Sequence, residues 1–170
     1  PYPTEKLSYS FPKIQSTVLK NGSKLVLAER NSSPLVELEI VFNKGYAVET
    51  NDKLGLVNFT MSMVDEGTEN YSSLEYAEKQ ESLGSSISFG SSIDTTYASM
   101  SSLKVNLEST LDLLKEGLLN ANFPQVELDK VKKRWLAGID QELNSPASMA
   151  NREIRALVYG SNHPYAKASS

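Results

Sequence analysis

The sequence predicts an α+β domain: a mainly antiparallel sheet with helices packed on one face. Three observations carry that reading. An Asn-Gly dipeptide sits between two apolar runs near the start, apolar and polar residues alternate over residues 35–42, and helical spacing of apolar residues dominates the second half. The implied order is strands, two helices, two more strands, then helices, which suits a sheet covered from one side. With 170 residues, 39% of them hydrophobic, the chain is long enough for one substantial core.

The first stretch, residues 1–14, holds three of the seven prolines and no apolar periodicity, and reads as an extended linker. A single module is expected over 15–166, with 167–170 a truncated end leading to a missing second module. In Thr17 to Ala28 the dipeptide Asn21-Gly22 tolerates the positive φ angles of a tight turn and predicts a β-hairpin. In Leu35 to Phe42, Val36, Leu38, Ile40 and Phe42 alternate with Glu37 and Glu39, the period-2 pattern of a third strand with one buried face. From Leu54 to Glu66, Leu56, Phe59 and Met63 recur at helical spacing and stop at Gly67, predicting a mostly buried helix.

Ser72 or Ser73 caps a second helix through Leu83, closed by Gly84, and Ile87–Phe89 with Thr95–Leu103 read as a Ser/Thr-rich β-pair. Leu107, Leu111, Leu114 and Leu118 form the stripe of a third helix. After Phe123-Pro124 a long helix places Leu128, Val131, Trp135, Ile139 and Leu143 on one side and ends before Pro146. A last helix runs from about Ser148 to Tyr159 and finishes at Gly160.

Composition removes several function classes. The balance of 17 basic against 21 acidic residues, net −4, has no basic cluster to track phosphates, so nucleic acid is not an expected partner. No cysteine is present, which removes disulfides, thiolate metal sites and cysteine nucleophiles. No run reaches the roughly 18 apolar residues that span a bilayer. His163 is the sole histidine and reads as a surface residue beside Pro164, so a two-imidazole metal site or a Ser-His-Asp triad has no basis. The nine glycines form neither a dinucleotide fingerprint nor a P-loop. Glu127 and Asp129 are explained by the helix dipole and by Lys133 four residues beyond Asp129, and Trp135 reads as core. Asn-x-Ser/Thr patterns at Asn31, Asn58 and Asn70 are short enough to arise by chance, and Asn58 falls on the buried-looking helix.

The segment Gly55-Leu56-Val57-Asn58-Phe59-Thr60-Met61-Ser62-Met63-Val64-Asp65-Glu66-Gly67-Thr68 resembles the active-site helix of pitrilysin/insulinase-type zinc peptidases. In active members a Gly-Leu-Ala lead precedes His-x-x-Glu-His, and Gly-Thr follows. The lead and Gly67-Thr68 are kept here. By that resemblance, Asn58 and Ser62 stand in place of the two histidine ligands and Met61 in place of the general-base glutamate. The third ligand, a glutamate on a long helix, falls at Gly138.

Amide, hydroxyl, thioether and bare backbone supply neither the imidazole and carboxylate donors of a zinc site nor a base for water. The likeness continues through Leu19–Leu27, Pro34-Leu35-Val36 and Asn122-Phe123-Pro124, covering roughly 15–166. It implies the first module of a non-catalytic half, of bacterial type, with no catalytic residue, no cofactor and no metal of its own. Zinc is expected only in a catalytic half, on the same chain or in a partner subunit.

The implied role is structural, enclosing an extended peptide substrate beside that half. The alternative is an assembly or core-type subunit of the same fold without a peptidase partner. A periplasmic location is expected from the bacterial appearance, with cytoplasmic or organellar as the alternatives. The segment is expected to self-associate, and Met61 to close over the small residues at 62 and 138.

Overall fold

The computed structural model describes residues 11–167, so all but the last few positions of the expected linker, and residues 168–170, lie outside the described residues. Two compact units are present, one ending at Pro34 and one beginning at Leu35.

The first unit contains a hairpin of β1 (Ile14–Val18) and β2 (Lys24–Ala28), antiparallel with Val18 opposite Lys24. Its turn is longer than a two-residue Asn-Gly turn. The Leu19 N–H donates to Ser23 O at 2.8 Å and the Gly22 N–H to Leu19 O at 2.9 Å, so three residues form the loop and only Gly22, at φ 85°, takes the left-handed conformation. The Asn21 side chain accepts the Ser23 N–H at 3.0 Å, and that local bond steadies the turn.

In the second unit β3 (Leu35–Phe42), β4 (Ser86–Ser91) and β5 (Thr96–Leu103) form an antiparallel sheet in the order β3-β5-β4. Leu38 pairs with Met100 and Phe89 with Ala98, which puts the apolar side chains of all three strands on one face. That face is covered by α2 (Ser73–Ser82) and α3 (Leu107–Asn120). Tyr76, Ile87, Ala98, Met100, Leu113 and Leu114 form the core, with Leu38, Ile40 and Phe89 packed against it. The Tyr76 hydroxyl donates to Leu113 O at 3.0 Å, so the one polar atom of that ring is satisfied. The opposite face is polar, with Ser88 and Ser99 hydroxyls 2.8 Å apart. Helices on one face of an antiparallel sheet is the arrangement the alternation and helical spacing require.

Two helices depart from expectation. The helix expected over 54–66 is only α1 (Leu56–Met61) and has no buried residue. The Ser62 hydroxyl donates back to Phe59 O at 2.8 Å and the Met63 N–H bonds Thr60 O, so the chain tightens into turns. Those turns carry Met63 and Val64, 1% and 5% exposed, into the interior. In α3 the buried face is Thr110, Leu113, Leu114 and Gly117, while Leu111 is exposed. The face is rotated because Thr110 is acceptable inside: its hydroxyl pairs with Ser102 and Asn106 O, each at 2.9 Å. A β-carbon on Gly117 would stand 2.9 Å from the Phe89 ring, so that position must be small.

The capping prediction for α2 holds. The Ser72 side chain accepts the Glu75 N–H, and Glu75 returns the bond to the Ser72 backbone. The long helix α4 (Gln125–Leu143) buries Val131 on the expected stripe, but Leu143 is exposed. The final helix α5 (Pro146–Tyr159) starts earlier than expected, with Ser145 as its cap and Pro146 in its first turn.

Candidate functional site

Helix α1 is seated by a residue the sequence patterns do not flag. Gly55, its cap, offers no side chain, and the carboxylate of Glu49 accepts the Gly55 N–H at 2.8 Å and the Val57 N–H at 2.6 Å. Glu49 is 7% exposed, so these charge-assisted bonds work away from water. A capping pattern cannot reveal it, because the acceptor sits six residues before Gly55 instead of at the cap. The Lys167 ammonium donates to the Ala47 and Glu49 carbonyls and holds this segment in place.

On its other side α1 meets α4 through an edge-to-face contact of Phe59 on Trp135, ring centres 5.4 Å apart. Between α1, α4 and the outer end of β4 lies a cleft of about 700 Å³. Asn58, Met61, Ser62 and Gly138 all line it. Asn58 and Met61 are on α1, Ser62 is its final cap, and Gly138 comes from α4. Met61 forms wall and does not close the space, contrary to the expectation, and no atom lies within 4 Å of where a Gly138 β-carbon would be. Trp135 is half-buried and forms wall here, where a core position was expected. These donors do not fit zinc, which takes imidazole, thiolate or carboxylate groups. Among the described residues no group of three His, Cys, Asp or Glu side chains could hold a metal ion.

The charges near the cleft are paired. Arg134 donates to Glu66 at 2.6 Å, and Glu66 also accepts the Ser73 hydroxyl at 2.9 Å. Arg152 reaches Glu142 at 3.1 Å. Asp65, beside Glu66, has its carboxyl pushed above the ordinary range by burial, with the neighbouring Glu66 charge adding and its own backbone hydrogen bond and Arg134 opposing.

Outside the cleft lining, Gly67, Thr68 and Asn122 hold one another. The Asn122 side chain donates to Thr68 O at 2.7 Å and its backbone N–H to Gly67 O at 3.2 Å. Gly67 has φ 149°, and a β-carbon there would meet Pro124 at 2.7 Å. Phe123 is held at φ 49°, a strained value for a side-chain-bearing residue that persists because both neighbours are fixed.

The edge of β4 was also not visible in sequence. The Ser92 N–H turns inward to Thr95 O at 2.7 Å, whereas the Ile87 N–H turns outward to the Gln80 side chain at 3.0 Å. By alternation Phe89 and Ser91 point their N–H and C=O outward. Both line the cleft, and among the described residues these outward groups have no hydrogen-bond partner.

Other candidates take structural places. His163 accepts the Tyr165 N–H at 3.1 Å and stacks on Tyr159. Glu127 pairs with Lys130, and Asp129 accepts from Gln125 instead of pairing with Lys133. Asn70 donates to Glu116.

The family model described as Insulinase (Peptidase family M16) matches residues 25–163. The chain belongs to the insulinase family. Two Helicobacter pylori proteins are similar to it: the "Non-peptidase homolog YmxG", 24% identical over 145 residues, 85% of this chain and 33% of that protein, and the "Zinc protease PqqE", 25% identical over 163 residues, 91% and 35%. The chain thus spans about a third of the length of these relatives. Among solved structures, a peptidase M16 inactive domain from Pseudomonas fluorescens superposes with a TM-score of 0.86 at 29% identity, covering 92% of this chain and 38% of that one. A Helicobacter pylori protease superposes at 0.76 with 21% identity, covering 93% and 38%, and shares the fold. The insulinase-family fold is therefore this chain's fold.

Proposed function

We propose that this chain is a non-catalytic segment of an insulinase-family protein that grips an extended peptide along the outer edge of β4. The observation that carries the reading is the cleft itself: four side-chain positions without zinc-site chemistry face two edge residues with unused backbone groups. A peptide adding there as a strand needs main-chain hydrogen bonds and no catalytic residue. The Pseudomonas fluorescens inactive domain and the non-peptidase relative support the absence of catalysis, and the zinc protease relative supports peptide as the ligand class.

Asn58, Met61, Ser62 and Gly138 are, in this reading, the emptied ligand and base positions. Zinc and hydrolysis belong to a catalytic half, on the same chain or in a partner, and a periplasmic location belongs to the same proposal.

Trp135 is the sole tryptophan and lines the cleft, so its fluorescence reports occupancy directly. Titration with an unstructured peptide is expected to shift its emission saturably. Gly138→Phe projects a ring into the cleft from a position where a β-carbon meets no atom within 4 Å, and is expected to weaken binding at least about tenfold, 1.4 kcal/mol. Equal affinity in both proteins would remove the cleft as the binding place.

A further inference from the structure

We infer that Gln80 of α2 is a specificity-determining residue that blocks one end of the β4 edge, so that a bound peptide pairs with Phe89 and Ser91 and stops short of Ile87. This rests on the peptide reading above. The outward residues of β4 are Ile87, Phe89 and Ser91, and the Ile87 N–H is already taken by the Gln80 side-chain oxygen at 3.0 Å. Gln80 is held at that distance by its own backbone: its carbonyl accepts the Ser85 N–H and the Ser85 hydroxyl, both at 3.2 Å, which fixes the end of α2 against the start of β4. The cleft agrees in extent, since Phe89, Gly90 and Ser91 line it while Ser86 to Ser88 do not.

On an antiparallel edge each outward residue exchanges two hydrogen bonds with one residue of the added strand. The fitting ligand is therefore a peptide with one short extended stretch, carrying free N–H groups on two residues separated by one. Pairing further along would first have to displace Gln80. The guard also keeps the inner end of β4 from templating strand pairing between chains, the hazard of an uncovered edge.

The test uses the full chain, Trp135 fluorescence and a series of unstructured peptides lengthened stepwise at the end that runs toward Ile87. Unmodified protein is expected to reach constant affinity once Phe89 and Ser91 are paired. Gln80→Leu keeps good helix propensity and removes the acceptor; its affinity is expected to rise by a further factor of about 3–10 on lengthening, the scale of one or two net hydrogen bonds. Single N-methyl substitutions should then hurt at one more peptide position than in the unmodified protein. Gln80→Glu retains an acceptor and should behave as the unmodified protein. Identical length profiles in the unmodified protein and Gln80→Leu would overturn the guard, as would Gln80→Glu behaving like Gln80→Leu. Failure of every peptide to bind the unmodified protein would instead overturn the cleft reading and the guard together.

Discussion

Two glycines separate the two halves of the site. Gly67, in the seam with Asn122 and Pro124, has φ 149° and no room for a β-carbon, whereas Gly138, in the cleft wall, is helical and faces open space. The seam is over-determined and the cleft is under-filled. Gly67 is therefore a position the fold cannot change, and Gly138 is one it leaves open.

Substitutions in the seam should cost most. Gly67→Ala combines a disfavoured backbone angle with a collision at Pro124, and is expected to lower unfolding stability by about 2–4 kcal/mol in urea titration. A loss under about 0.5 kcal/mol would show that the seam can move, and would erase the contrast. Glu49→Ala leaves two amide donors of α1 without their acceptor in a buried place, at about 1–3 kcal/mol. Because Glu49 seats α1, this variant should also weaken the Trp135 response to peptide, which a stability effect confined to the core would not do.

Asn122→Ala removes one side-chain bond to Thr68 O, with an expected loss of about 1 kcal/mol. At the other extreme Gly138→Ala should stabilise the protein by up to about 1 kcal/mol, since an exposed helical glycine gains propensity and meets nothing. Destabilisation there would mean the cleft wall is packed more tightly than the geometry shows.

Asp65 sharpens the comparison through pH. Its carboxyl is raised above the ordinary 3.8 in the folded state by burial, so the folded chain holds that proton more tightly than the unfolded chain. The stability contribution is full below 3.8 and is lost as pH rises through the folded value. Asp65→Asn is expected to gain stability relative to the unmodified protein as pH rises through that window and to hold a constant difference above it, by denaturation at stepped pH. A difference that shrinks with rising pH would reverse the sign and show that the Arg134 attraction outweighs burial.

Much of the fold was legible because its signals are local. Alternation marked β3 within its observed bounds, and Ser72 with Glu75 marked the start of α2, since a capping box needs only residues in one turn. The spacing of Asn58, Met61 and Ser62 put them near one another for the same reason. The end of α1 was missed because Ser62 turns its hydroxyl back on the chain and Met63 and Val64 gain burial by leaving the helix, a tertiary preference over a local pattern. The rotation of α3 was missed because a buried threonine is acceptable only once Ser102 stands opposite it.

Residue chemistry by itself determined that Asn58, Met61, Ser62 and Gly138 lack the donors of a zinc site, since donor type is a property of each side chain. Periodicity by itself determined an antiparallel α+β domain, since burial of one face repeats every two residues in a strand and about every 3.6 in a helix. Only the tertiary structure decided that Gly138 joins the other three at one cleft, that Glu49 seats α1, and that β4 is an edge strand with Gln80 on its inner end. Those facts depend on which distant segments meet, and hydrogen-bond partners separated along the chain leave no periodic trace in it.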